Sequence, residues 1–381
     1  MAQTESNTDE VWMERALALA EATVGLASPN PATGAVLVKD NVVVGEGAHF
    51  YDDKDHAEIV ALKQAGEQAR GATAYVTLEP CSHHGRTGPC ADALIHAGVA
   101  RVVTAIRDPN PQVSGRGLDR LQAAGVSLTI GVKEAAARRL NEAFAKFIRT
   151  HRPFVTLKAG MTLDGRIAPP PSKDHIPSGS THWITGDRSR EMVQELRHSA
   201  DAILTGIGTI LSDDPLLTDR SGRQRRRPFL RVILDSSLRI SVDSQLVRTA
   251  SQDVLVFHSQ PAARQAKELH ERGVHVERLE PDPITGEVPI RVVMERLAEM
   301  EMVSVILEGG PRINASALTA QLVDKLFLFY APAIYGDAAI PVVQSLEPNT
   351  YYATRLASYH LHELGEDFAV EGYLHNPWES I

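Results

Sequence analysis

Two α/β domains joined end to end are what the sequence predicts, and three observations predict them. The chain has 381 residues, against about 150 for an average domain. Both halves alternate short β-branched runs with segments of helical periodicity, the pattern of layered α/β folds. Between the halves, His151-Arg152-Pro153 interrupts a helical stretch just before the apolar run Phe154-Val155-Thr156-Leu157, and the residue ahead of a proline is steered out of helical geometry. The predicted domains are therefore 1–150 and 151–381.

The elements follow in order. Thr8 as N-cap, Asp9 and Glu10 in the first turn, and Met13, Ala16, Leu17 and Ala20 at helical spacing predict a helix over 8–22. Two β-branched runs around Lys39-Asp40-Asn41 predict a hairpin over 34–47. A helix over 57–69, a strand over 74–78, a helix from Cys90 and a strand over 101–106 come next. After the Pro- and Gly-punctuated Asp108–Gly117 loop come a short helix, a strand over 126–130 and one helix over 133–149. In the second half, strands are predicted from Phe154 and over 202–205, 229–234, 253–257, 274–278, 303–307 and 325–330. Helices are predicted over 188–198, 261–272, 290–300 and 312–321. No internal repeat relates the halves, which points to two different chemistries.

Composition narrows the function. With 39 Lys and Arg against 48 Asp and Glu, the net charge is −9, the wrong balance for a duplex-binding protein. No apolar, charge-free run reaches the ~18 residues of a membrane span, and the opening residues lack the basic start of a secretory signal. A cytoplasmic protein acting on small molecules, binding neither nucleic acid nor membrane, is the expectation. The two cysteines, Cys81 and Cys90, then call for an explanation other than a disulfide.

His56-Ala57-Glu58, Pro80-Cys81 and Cys90 offer one imidazole, two thiols and a carboxylate near predicted helix starts. Zinc takes four N or S ligands, and a catalytic site leaves one position open; His56, Cys81 and Cys90 make three. Cys90 at a helix N-terminus favours the thiolate. His56 and Glu58 lie about 200° apart on a regular helix, so both can face one pocket only where the helix begins. A zinc-activated water with Glu58 as unligated proton shuttle is the chemistry of hydrolytic deaminases. The eight residues between the cysteines depart from the two usual in base deaminases. His83 or His84 as a fourth ligand would instead make the site structural.

Several motifs together resemble the bifunctional deaminase/reductase family of riboflavin biosynthesis. They are Pro29-Asn30-Pro31, His56-Ala57-Glu58, Glu79-Pro80-Cys81 through Cys90, and Asp108-Pro109-Asn110-Pro111 through Gly117. The resemblance runs over nearly the whole chain. It implies a cytidine-deaminase-like α/β/α N-terminal domain that removes the 2-amino group of a diaminopyrimidinone ribose phosphate. Asn30 would face the pyrimidine, and His83 and Arg86 the ribose phosphate. The chain departs from the family at Ala32-Thr33, which should alter packing near Asn30 and not the chemistry.

In the second half, Gly206-Ile207-Gly208-Thr209-Ile210-Leu211 has leucine where a Rossmann loop needs its third glycine. Glu308-Gly309-Gly310-Pro311 follows an apolar strand and opens a helix, which suits a diphosphate. Glu308-Gly309-Gly310, with Leu157–Arg166, His182-Trp183-Ile184-Thr185, Ala202-Ile203-Leu204-Thr205-Gly206, and Asp213-Asp214-Pro215 with Leu217-Thr218 and Arg220, resembles the reductase half of the same family. That implies a dihydrofolate-reductase-like α/β domain in which NADPH reduces the ribose. The implied NADPH contacts are Gly160, Trp183, Thr209, Asp213 and Gly310; the implied substrate contacts are Thr181, Arg197, Leu217, Arg220 and Glu308. Arg197 and Arg220 suit a 5′-phosphate, while Arg197 also reads as a solvated helix face. Arg223 and Arg225-Arg226-Arg227 read either as a 2′-phosphate site or as solvated surface. The proline-rich 169–177 departs from the family and reads as a lid or an oligomer contact. Zinc and NADPH are the expected cofactors, and a homo-oligomer the expected assembly. The rival readings are a nucleic-acid base deaminase with an accessory domain and a non-catalytic zinc protein.

Overall fold

A computed structural model describes residues 2–83, 88–170, 183–344 and 354–379. The chain divides into two compact units, residues 1–151 with 377–381, and residues 152–376. The tail thus departs from the predicted 151–381. Trp378 packs on the first unit, where the Arg138 guanidinium lies 4.9 Å over its ring and its indole N–H donates to the Arg138 carbonyl at 3.3 Å. Local periodicity carries no sign of such a return.

In the first unit the order is α1 (Ala2–Glu21), β1 (Gly34–Lys39), β2 (Val42–Ala48), α2 (Ala57–Ala65), β3 (Thr73–Leu78), α3 (Cys90–Ala97), β4 (Arg101–Ile106), α4 (Arg116–Ala123), β5 (Ser127–Ile130), α5 (Glu134–Leu140) and α6 (Glu142–Thr150). The sheet runs β2-β1-β3-β4-β5, antiparallel at its β2 end and parallel from β3 to β5. Asp40 and Asn41 both take positive φ, 50° and 61°, which lets so short a connection match the twist of the hairpin. One face of the sheet is covered by α2, α3 and α4 through Ala57, Ala61, Leu94 and Leu121. The other is covered by α1 and α5 through Met13, Ala16, Leu17 and Ala137. Gly34 lets α1 ride on β1, since a Cβ there would stand 2.0 Å from the Ala16 carbonyl. The single helix predicted over 133–149 is two. The chain breaks at Asn141, whose side chain is committed to the backbone of Ala32.

The second unit contains β6 (Phe154–Thr162), β7 (Arg166–Ala168), α7 (Asp187–Ser199), β8 (Ala202–Gly206), α8 (Ile207–Asp213), β9 (Leu230–Leu234), α9 (Gln245–Arg248), β10 (Val254–His258), α10 (Ala263–His270), β11 (His275–Arg278), α11 (Ile290–Glu299), β12 (Ser304–Leu307), α12 (Pro311–Thr319), β13 (Lys325–Ala331), β14 (Ile340–Pro341), β15 (Ser358–Leu364) and β16 (Asp367–Tyr373). Its large sheet runs β11-β10-β9-β8-β12-β6-β13-β16-β15. Strands from β11 to β13 are parallel, and the β15–β16 hairpin adds antiparallel strands at one edge. That hairpin, α8 and α9 are not among the predicted elements. β15 is mostly exposed, and the two helices are too short to show a periodicity.

The faces of this sheet explain where a ligand belongs. Val293, Met294 and Leu297 of α11 and Ala317 of α12 pack on one face. Ile210 of α8, Leu246 and Val247 of α9, and Leu269 of α10 pack on the other. The paired strands β8 and β12 therefore send their following helices to opposite sides. A crevice opens at the carboxyl ends of strands at such a switch point. Among the described residues, no helix is long and apolar enough to cross a membrane.

Candidate functional site

The first unit gathers its chemistry at the starts of α2 and α3. His56 is the N-cap of α2, with extended backbone at φ −78° and ψ 161°. It is thus free of the helical rotation that would separate it from Glu58 in the first turn. His56 Nδ1 lies 3.6 Å from Cys81 Sγ and 3.3 Å from Cys90 Sγ, and all three ligand atoms fall within 4.8 Å of one another. Tetrahedral zinc with ordinary bond lengths requires N···S of about 3.6 Å and S···S of about 3.8 Å. The donors fit that ion. The Cys90 backbone N–H at the head of α3 points at Cys81 Sγ, 3.4 Å away.

The electrostatics suit a cation. A hydrogen bond from the Cys90 thiol, helped by His56, brings the Cys81 thiol down to about 4, and the same bond, with burial, pushes Cys90 up. The pair thus shares one proton and offers a ready thiolate. His56 is raised by its hydrogen bond to Cys81. Glu58 is 5% exposed, and burial raises its carboxyl to about 7 against the pull of His56.

Three side chains given no role from the sequence hold this site, His49 and Asn141 with no obvious signal and Glu79 only as part of a quoted motif. His49, 4% exposed, accepts from the Asn30 amide through Nε2 at 2.9 Å. Its Nδ1 therefore carries the proton and donates to the Asp55 carbonyl at 2.9 Å, and its ring meets that of His56 edge-on at 5.3 Å. Asn141 accepts from the Ala32 N–H at 2.9 Å and donates to the Ala32 carbonyl at 3.0 Å, fixing the chain two residues beyond Asn30. Glu79, ahead of Pro80-Cys81, accepts from the N–H groups of Asp108, Gly115 and Gly117 at 3.2, 2.9 and 3.0 Å. It ties the Asp108–Gly117 loop to the strand end that presents Cys81. Burial pushes the Asp108 carboxyl in that loop up to about 6.

In the second unit the β8/β12 crevice is lined by Gly206-Ile207-Gly208 and Glu308-Gly309-Gly310. Gly310 is the N-cap of α12 and Pro311 its first residue. A Cβ at Gly208 or at Gly310 would find nothing within 4 Å, which leaves room for a dinucleotide's diphosphate against the amides of a helix N-terminus. The backbone fits NADPH in this respect. Beside it, Arg197 grips Glu308 with Nε on Oε1 and Nη2 on Oε2, both 3.0 Å, and Lys158 approaches at 3.5 Å. Burial pushes the Glu308 carboxyl up, but Arg197 and Lys158 outweigh it and hold it at about 2.

The basic loop after Arg220 is largely spent on the fold. Arg225 donates to the Arg197, His198 and Ala200 carbonyls at the end of α7 and to Asp219 at 3.1 Å. Arg227 pairs with Asp201 at 3.0 Å, and Arg223 pairs with Glu195.

Comparison with known proteins agrees with both halves. Residues 6–106 match the cytidine and deoxycytidylate deaminase zinc-binding region, and residues 153–370 match the RibD C-terminal domain. The riboflavin biosynthesis protein RibD of Escherichia coli is 42% identical over 342 residues, 87% of this chain and 89% of the relative. The chain belongs to the RibD family. RibD of Aquifex aeolicus is 41% identical over 86% of this chain and 88% of its own. Among solved structures, Acinetobacter baumannii RibD superposes with a TM-score of 0.78 at 36% identity, covering 97% of this chain and 99% of that one. A Thermotoga maritima diaminohydroxyphosphoribosylaminopyrimidine deaminase/5-amino-6-(5-phosphoribosylamino)uracil reductase superposes with 0.79 at 34% identity over the same shares.

As a RibD-family member the protein is a bifunctional deaminase and reductase of riboflavin biosynthesis, with zinc and NADPH as its cofactors. Of the residues singled out from sequence, His56, Glu58, Cys81 and Cys90 converge, and Asn30 reaches them through His49. His83 is exposed; Arg86 and Thr181 lie outside the described residues, as does most of the proline-rich 169–177. Gly160 on β6 faces Thr185, 3.5 Å from where its Cβ would be. Trp183 is 58% exposed, stacked on Arg190 at 5.1 Å, and is no core aromatic. Thr209 and Asp213 lie on α8, Leu217 and Arg220 follow it, and Arg197 is buried, not on a solvated face. Lys158, within a motif quoted for the resemblance, drew no role from sequence because a lone lysine in an apolar strand looks like an edge charge.

Proposed function

We propose that the first unit converts 2,5-diamino-6-ribosylamino-4(3H)-pyrimidinone 5′-phosphate to 5-amino-6-(5-phosphoribosylamino)uracil, releasing ammonia, and that the second reduces the ribose of that product to the ribitylamino compound. The observation that carries the reading is a His, Cys, Cys donor set with a buried carboxyl beside it and outside it. His56, Cys81 and Cys90 would hold zinc, which supplies a nucleophilic hydroxide near neutral pH by acidifying water. Glu58 moves the proton to the leaving amine, and Asn30, aimed by His49, orients the pyrimidine. His83 and Arg86 belong to the phosphate end.

In the second unit the open faces of Gly208 and Gly310 admit NADPH, which supplies hydride, with Gly160 on β6 as a further contact. Trp183, Thr209 and Asp213 complete its surroundings. Glu308, kept ionised by Arg197 and Lys158, presents an acceptor to the sugar hydroxyls. Thr181, Leu217 and Arg220 complete the substrate side, where Arg220 is exposed and its guanidinium suits phosphate.

A cytoplasmic setting is part of this reading, since zinc-binding thiols must stay reduced. So is a homo-oligomer, supported by β15, the end strand of the large sheet among the described residues, with Tyr359 and Leu361 exposed, an edge of the kind that pairs with another chain. Nucleic acid is not among the partners, in keeping with the net charge of −9. The test is Glu58→Gln. Ammonia release should fall by roughly 10²–10⁴ while NADPH oxidation on pre-deaminated substrate persists. Unchanged ammonia release would remove Glu58 from the chemistry, and loss of both activities would mean the two sites are not independent.

A further inference from the structure

The segment between α8 and β9 that carries Leu217 and Arg220 is held from the sheet by an arginine that has been given no role so far. Arg231, the second residue of β9, is the bulkiest of the fully buried side chains among the described residues, at 1% exposed. Its Nη1 donates to the Leu216 carbonyl and to Thr249 Oγ1, each at 3.0 Å. Its Nη2 donates to the Thr249 carbonyl at 3.0 Å and to Asp253 at 2.9 Å. A hydrocarbon side chain would fill the same space without the cost of desolvating a charge. What hydrocarbon cannot do is reach the Leu216 carbonyl.

That carbonyl precedes an unusual residue. Leu217 has φ of +54°, in the left-handed region that a bulky L-residue avoids unless its surroundings impose it. The residues after it are anchored from the other side. Arg197 Nη1 holds the Thr218 carbonyl at 3.0 Å, His198 Nδ1 lies 3.1 Å from Asp219, and the Gln194 amide oxygen accepts from the Arg220 N–H at 2.8 Å. Those three anchors all come from α7; Arg231 is the anchor from the sheet.

We propose that Arg231 is a positioning residue for the reductase substrate: by pinning the Leu216 carbonyl it holds Leu217 in its left-handed turn and so sets the direction in which Arg220 leaves the segment. Asp253 balances the buried charge and orients the guanidinium. The inference rests on the reading that Leu217 and Arg220 contact the substrate phosphate end. Lysine at 231 would keep the charge beside Asp253 but could not span Asp253, Thr249 and Leu216 at once.

The test compares Arg231→Met, Arg231→Lys, Asp253→Asn and Arg220→Gln in the full-length protein. Each is assayed for KM and kcat with pre-deaminated substrate, for NADPH binding by fluorescence titration, and for its thermal midpoint. Arg231→Met should raise the substrate KM tenfold or more, with the NADPH dissociation constant within twofold and ammonia release unchanged. Arg231→Lys should recover part of that loss. If Arg231→Met does not fold, Asp253→Asn, which keeps the arginine and loosens its aim, should raise KM severalfold. A lowered midpoint with an unchanged substrate KM would reduce Arg231 to a structural residue and overturn the proposal. A raised KM in Arg220→Gln beside an unchanged one in Arg231→Met or Asp253→Asn would overturn it alone. An unchanged KM in Arg220→Gln as well would overturn the reading beneath it.

Discussion

Glu308→Gln removes the one anion between two cations and leaves Arg197 and Lys158 facing each other in a buried site, where Arg197 and Glu308 side chains are only 10% and 14% exposed. The depression of the Glu308 carboxyl from 4.5 to about 2 corresponds to about 3 kcal/mol of stability at neutral pH. Removing one member of a buried pair costs a similar 3–5 kcal/mol or so. For a unit of this size about 3 kcal/mol lowers the thermal midpoint by roughly 6–12 °C. Because the folded carboxyl titrates below the unfolded one, the contribution is complete above pH 4.5 and fades as pH falls toward 2. Scanning calorimetry would follow the transition that shifts with added NADPH, since ligand binding marks the second unit. The gap between wild type and variant should be widest at pH 7 and close through pH 4.5 to 2. A gap below 1 °C at pH 7, or one that stays constant down to pH 2.5, would refute the ion-pair argument.

Three further outcomes are expected from the first unit. Gly117→Ala places a Cβ 1.8 Å from the Pro80 carbonyl, one residue before Cys81, so zinc affinity should fall roughly 10–100-fold while NADPH oxidation is untouched; equilibrium dialysis against a zinc chelator reads it. Asn141→Leu strands the buried N–H and carbonyl of Ala32 and should cost about 2–5 kcal/mol of first-unit stability, with a raised deaminase KM through Asn30; urea unfolding and ammonia assays check both. Cys90→Ser should lose zinc and destabilise the first unit, because metal affinity is partly folding energy; a full equivalent of zinc by elemental analysis would show that the ligand set is wrong.

The candidate zinc donors were legible in the chain because their chemistry is rare and local: two cysteines in 381 residues, each beside a helix or strand end, with His56 and Glu58 only two positions apart. The residues that aim them were not. His49 and Asn141 act across 19 and 109 positions of sequence on Asn30 and Ala32, and neither breaks the local pattern in which it sits. The same holds for Arg231, which in Leu-Arg-Val-Ile-Leu looks like the polar face of a strand until its four acceptors are seen around it.

What the amino-acid order determined by itself was whatever neighbours along the chain decide: element type from periodicity, the break at His151-Arg152-Pro153, the hairpin around Asp40-Asn41, and the candidate metal donors. What only the tertiary structure decided was how charge is spent. The loop of arginines at 223–227 and Arg197 are equally suited, as residues, to phosphate or to the protein's own carbonyls and carboxylates. An isolated arginine has no preference among such partners; the choice falls to distance and burial, and those exist only once α7, β8, β9 and β12 have packed.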